Sequence, residues 1–118
     1  METWFPVLFA HYMELSKDCC LRYPNLHVIA PGCPFMAMLV NVGPLAVCET
    51  HIDSRNLVAG LCAILVLGAF DHTLGGHLIL MEAKVICEGL VGCIFLIPSA
   101  ACLKKLDLLI VFLSALEY

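Results

Sequence analysis

The chain has 118 residues and a formal net charge of −4, from 6 Lys and Arg against 10 Asp and Glu. That is room for one domain. The few cations are scattered except at Lys104-Lys105, so no basic stripe can grip phosphates and no nucleic-acid-binding patch is expected.

The elements read in chain order begin with Trp4 to Leu21, where Val7, Leu8, Tyr12 and Leu15 recur at helical spacing on one face. Trp4 and its apolar neighbours are expected to anchor this helix in the core. Pro24 ends it, because the residue before a proline disfavours the helical region. Residues 24–34 are turn-rich. From Phe35 the texture becomes that of strands: Phe35–Val42, closed by Gly43-Pro44, then Leu45–Asp53 and a buried run from Gly60 to Phe70. A turn at Asp71–Gly76 precedes a strand at His77–Met81. Lys84–Cys87, a turn at Gly89–Gly92 and a strand at Ile94–Ile97, stopped by Pro98, follow. Short strands separated by Gly or Pro at this spacing predict a sandwich or barrel of antiparallel strands. The tail, Leu103 to Tyr118, places Leu106, Leu109, Ile110 and Leu113 on one side of a helix and is read as one.

Hydropathy bears on where such a chain resides. Its mean hydropathy is +0.97 and 62% of residues are hydrophobic, against about 45–50% in ordinary soluble domains. Either a membrane protein or a piece of a larger fold with uncovered apolar faces would have this composition. The charge-free runs Asn56–Phe70 and Gly89–Leu103 both fall short of the about 17–25 residues that a spanning helix needs. No confident membrane span is therefore expected. The start, Met1-Glu2-Thr3-Trp4, lacks a basic region followed by an apolar one, so a secretory signal is not expected and an intracellular location is. In that setting the eight cysteines read as reduced thiols, with Cys48 and Cys62 as small buried hydrophobes. No Cys-x-x-Cys pair marks a zinc site. Glu82 and Glu88 are read as solvated carboxylates in preference to an acid–base pair.

The residues that point to chemistry are His51 and Asp53. Two apart at a strand end, they share a face, so an imidazole and a carboxylate converge. That is two-thirds of the two-His, one-carboxylate set that holds non-haem Fe(II) with open positions. Around the pair stand Pro24-x-Leu26, Pro34-Phe35, Asn41-Val42-Gly43-Pro44 and Val47-Cys48-x-x-His51-x-Asp53. Downstream are Asn56-Leu57, Ala59-Gly60-Leu61-Cys62-Ala63-Ile64, Leu67-Gly68-x-Phe70-Asp71, Gly75-Gly76-His77-Leu78, Gly92 and Ile97-Pro98-Ser99-Ala100. In this series the chain resembles the fungal 2-oxoglutarate/Fe(II) oxygenase-like proteins of the Tet/JBP type, a group found alongside mobile elements.

The resemblance implies an α+β, mainly β fold with a double-stranded β-helix (jelly-roll) core. That core is expected to be incomplete: an N-terminal helical and irregular segment (1–34), a partial barrel (35–102) and a divergent tail (103–118). It implies Fe(II) and 2-oxoglutarate as cofactors, His51 and Asp53 as the first two metal ligands, a tight hairpin at Gly75-Gly76 and a structural role for His77. The family pattern then places a second metal histidine and an arginine beyond Pro98-Ser99-Ala100. No histidine follows His77 and no arginine follows Arg55. Lys104 stands nearest the missing ligand. It is a poor iron ligand, and it or Lys105 would have to replace the arginine at the distal carboxylate of 2-oxoglutarate with a point charge in place of a planar fork. His72 and His77 are further stand-ins for the missing ligand, read first as turn and core residues. The expected function is thus a degenerate or truncated dioxygenase-like protein. The alternatives are an active dioxygenase oxidising a modified nucleobase or other substrate, and a small hydrophobic membrane protein.

Overall fold

A computed structural model describes residues 1–41, 47–107 and 110–114, with side chains described as far as Leu106. The one helix among them, α1 (Pro6–Arg22), begins on a proline whose fixed φ suits the first turn and ends with Arg22 beside its carbonyl end. Tyr12, Ser16 and Cys19, spaced four and three apart, form its buried stripe. The expected anchor is corrected here: Trp4 is 76% and Val7 84% exposed, and Tyr12 makes the contact with the body of the protein. Trp4 precedes the first helical turn, off the stripe that Tyr12, Ser16 and Cys19 define.

Eight strands follow: β1 (Ala37–Asn41), β2 (Val47–His51), β3 (Cys62–Val66), β4 (His77–Leu80), β5 (Val85–Glu88), β6 (Ile94–Ile97), β7 (Lys104–Asp107) and β8 (Ile110–Ser114). The protein is therefore mainly β with an N-terminal helix. Its strands form two antiparallel four-stranded sheets, β1-β8-β3-β6 and β2-β7-β4-β5. β4 and β5 are a hairpin, turned through Lys84 at φ 54°. The turn before β4 has its positive φ at Gly76 (83°), a conformation that favours glycine.

The sheets face one another. Cys62, Ile64, Val66 and Ile97 from the first pack with Leu78 and Leu106 from the second. The outer face of β3 is covered too: Ala63 joins Tyr12 of α1 and Phe35 in a second cluster. With both faces covered, β3 is buried almost throughout, as its unbroken apolar run requires.

The helix expected over the tail is not formed. Residues 104–107 and 110–114 are strands, and each lies inside a sheet: β7 between β2 and β4, β8 between β1 and β3. The sheets thus extend well past residue 102. Helical spacing of leucines is also compatible with a two-residue alternation over short lengths. Lys104 and Leu106 are buried while Lys105 is exposed, the strand pattern. Open ladder positions on neighbouring strands offer the tail backbone partners that a lone amphipathic helix would not need. Residues 115–118 of the expected tail, and 42–46 around the expected Gly43-Pro44 turn, lie outside the described residues.

Candidate functional site

His51 closes β2, and a local irregularity decides where it points. Cys48 pairs with Leu106 and His51 pairs with Lys104, so β2 takes three steps while β7 takes two. This is a β-bulge: the extra residue shifts the alternation and re-aims the side chains beyond it. Without it His51 would face away from the side that Cys48 shares with the core. With it, His51 stands on the same face as its partner Lys104, since directly paired residues in an antiparallel ladder share a side.

The ring of His51 is held at 2.7 Å by the Glu49 carbonyl through Nδ1, which must donate because a carbonyl only accepts. That leaves Nε2 turned to Asp53, 3.3 Å from Oδ1. The spacing argument is met: the imidazole and the carboxylate do converge. The third group to arrive is Lys104. Its Nζ lies 2.8 Å from Asp53 Oδ2, and the side chain is wholly buried (0% exposed) beside an aspartate that is 22% exposed. This is an ion pair at contact distance, largely out of water.

A frame surrounds these residues. Ser99 O accepts from the backbone N–H of Asp53 (3.1 Å) and from Lys104 Nζ (3.5 Å). Asn56 Nδ2 donates to Ser99 Oγ at 2.6 Å, with both side chains buried, and the Asn56 N–H donates to the Asp53 carbonyl. The segment 53–56 is thereby stitched to the loop after β6. Cys62 lies against the same group. Burial pushes its thiol up to about 11, with the Ser99 hydrogen bond and the Lys104 charge offsetting this only in part and Asp53 adding to it. A thiol held protonated in this way is a packing group, not a nucleophile.

Other residues singled out from the sequence lie elsewhere. His72 contacts Glu88 (3.4 Å), and His77 pairs with Glu88 across the β4–β5 ladder. Glu82 spends both carboxylate oxygens on the Leu103 N–H, at 3.2 and 2.9 Å. Lys105 is exposed. Among the described residues, no group of three or more His, Cys, Asp or Glu side chains is placed to hold a metal ion. None of their helices is long and apolar enough to cross a membrane. An apolar groove at the start of α1, lined by Phe5, Pro6, Val7, Leu8 and His11, involves none of the site residues.

Spacing alone pointed to the His51–Asp53 pair. It did not reveal the Asn56–Ser99 hydrogen bond or the capture of Lys104, although Asn56 and Ser99 both stand inside the short motifs quoted above. No family model, curated protein or solved structure matches the chain.

The donor set can be tested against the Fe(II) that the resemblance implies. A facial triad needs three lone-pair donors around one point. Here two are present, His51 Nε2 and Asp53, and the third place is taken by an ammonium. That group has no lone pair to give, and it carries the charge that a metal would bring. The residues do not fit a bound divalent ion.

Proposed function

We propose that the chain is a non-catalytic member of the 2-oxoglutarate/Fe(II) dioxygenase-like proteins, a jelly roll that keeps the place of the metal site without its chemistry. The scaffold part of this reading is supported by the strand order. Two facing four-stranded antiparallel sheets, ordered β1-β8-β3-β6 and β2-β7-β4-β5, are what such a scaffold would require. The family part rests on the resembling motifs, which imply His51 and Asp53 as the first two ligands.

One observation carries the loss of catalysis: Lys104 Nζ at 2.8 Å from Asp53 Oδ2, fully buried. The carboxylate that would bind iron is already neutralised by a group attached to the chain. Lys104, read from sequence as a stand-in for the arginine at 2-oxoglutarate, has its ammonium on Asp53. Residues 56–118 contain no arginine that could bind the co-substrate by a planar fork. His51, Asp53 and Lys104 therefore act as a structural polar cluster between β2, β7 and the Ser99 loop.

The test is an anaerobic titration of the purified chain with Fe(II) and 2-oxoglutarate, followed by admission of oxygen. The expected result is no visible charge-transfer band and no succinate above a protein-free control. A band saturating at one iron per chain, with succinate formed on oxygenation, would overturn the proposal in favour of an active dioxygenase.

A further inference from the structure

We infer that Lys104 is a tethered cation that does the structural work of a bound metal ion, and that exchanging it for histidine turns this cluster into a divalent-metal site. The inference rests on the reading above for the place of the site but draws its argument from the geometry of this chain.

Three features converge. The ladder register sets residue 104 directly across from His51, and the bulge in β2 puts both on one face. Asp53, two residues on, presents Oδ1 to His51 Nε2 at 3.3 Å and Oδ2 to Lys104 Nζ at 2.8 Å. Its backbone is fixed by the bond from its N–H to Ser99 O, the same carbonyl that Lys104 Nζ approaches. An ammonium wholly out of water persists only when anionic and dipolar partners surround it. Here a carboxylate and a carbonyl do so, the kinds of oxygen that would otherwise face a metal ion.

Histidine at 104 has a shorter side chain than lysine. Its ring nitrogen would stop short of Asp53, and an ion held between them would lie about 2.0–2.2 Å from each ligand atom. His51 Nε2, one oxygen of Asp53 and the new imidazole then make three lone-pair donors from β2, the turn after it and β7. His51 is already oriented by the Glu49 carbonyl, the outer contact that metal-bound histidines ordinarily use. The remaining positions on the ion would be open to water.

The probe is Co(II) alone, titrated into the wild-type chain, Lys104→His and the double variant Asp53→Ala/Lys104→His, with visible absorption and thermal unfolding as readouts. Lys104→His is expected to bind one Co(II) per chain on the order of 100-fold more tightly than wild type, with d–d bands and a Co(II)-dependent rise in Tm. The double variant should lose both. A Lys104→His chain with the circular dichroism of wild type that binds Co(II) no better than wild type would overturn the inference, as would a double variant that keeps the site. Should Lys104→His not fold, the cycle of Lys104→Met, Asp53→Asn and their double in urea decides. A tethered cation requires the double to be much less destabilised than the sum of the singles, and additive losses would refute it. The outcomes separate the two claims. Succinate formation by the wild-type chain defeats the proposed function, whereas a folded Lys104→His chain indifferent to Co(II) defeats only the tethered cation.

Discussion

The Tyr12 hydroxyl accepts the Leu61 N–H at 2.7 Å and donates to the Leu61 carbonyl at 3.0 Å, so one side chain of α1 satisfies both backbone groups of the residue that leads into β3. Leu61 has no ladder partner in the β3–β6 pairing, which starts at Cys62. The helix therefore supplies what the sheet does not. Tyr12→Phe keeps the ring against Phe35 and Ala63 but strands both groups of Leu61. A loss of about 1–3 kcal/mol is expected. Urea unfolding followed by circular dichroism measures it, and a change below about 0.5 kcal/mol, the ordinary surface value, would mean that water takes over the role of the hydroxyl.

Gly60 is where that contact is enforced. A Cβ there would run into the Tyr12 hydroxyl and meet Leu57 at 3.1 Å. Gly60→Ala must push the tyrosine off Leu61, and overpacking of this kind costs about 1–3 kcal/mol. Because both changes break the same bonds, Gly60→Ala combined with Tyr12→Phe should cost clearly less than the sum of the two. Additivity in the same unfolding measurement would place the strain of Gly60→Ala elsewhere.

The 2.6 Å bond from Asn56 to Ser99 joins the turn after β2 to the loop after β6. Both partners are buried: Ser99→Ala takes this acceptor from the Asn56 amide, while Asn56→Ala leaves Ser99 only its contact with the Cys62 thiol. Asn56→Ala and Ser99→Ala are expected to lose about 1–3 kcal/mol each, with a coupling of about 0.5–3 kcal/mol in the double-mutant cycle. The amide protons of Asp53 and Asn56 should also exchange faster in both variants, since Ser99 O and the Asp53 carbonyl hold them. Unchanged exchange would show that the loop keeps its place without the side-chain bond.

Cys62 makes stability fall at alkaline pH. Burial raises its thiol from 9.0 to about 11 in the folded chain, so between those values the unfolded chain gives up a proton that the folded chain keeps. The unfolded state binds fewer protons there, and stability declines as pH rises. The contribution is intact below about pH 9 and gone above about 11, a loss of about 2–3 kcal/mol at about 1.36 kcal/mol per unit. Burial raises Tyr12 as well, so the total decline mixes the two groups. Comparing wild type with Cys62→Ala isolates the thiol. The stability advantage of wild type should shrink by that amount between pH 8 and pH 11, and a constant difference would contradict it.

Much of the fold was legible from local pattern. Tyr12 and Leu8 fall on helical spacing, Pro24 marks the end of the helix, and the runs around Cys62–Val66, His77–Leu80 and Ile94–Ile97 carry strand residues between turns. These signals are local, as are the forces behind them. The tail was misread because Leu106 and Ile110 satisfy a helical stripe as well as a strand's alternation. Only the ladder positions on β1, β2, β3 and β4, far away in the chain, select the strand. Trp4 was misread for a related reason: an aromatic residue is a good core former, but its place outside the buried stripe of α1 leaves it in solvent.

The sequence by itself set His51 and Asp53 two residues apart, so an imidazole and a carboxylate could meet at the end of a strand. Within the given residues it also places no histidine beyond His77 and no arginine beyond Arg55. Only the tertiary structure decided what completes the cluster. A bulge in β2 and its register against β7 turn His51 inward and bring Lys104 opposite, and burial then commits the lysine to Asp53. Register between distant strands is set by packing across the whole sheet, so no short stretch of the chain specifies it.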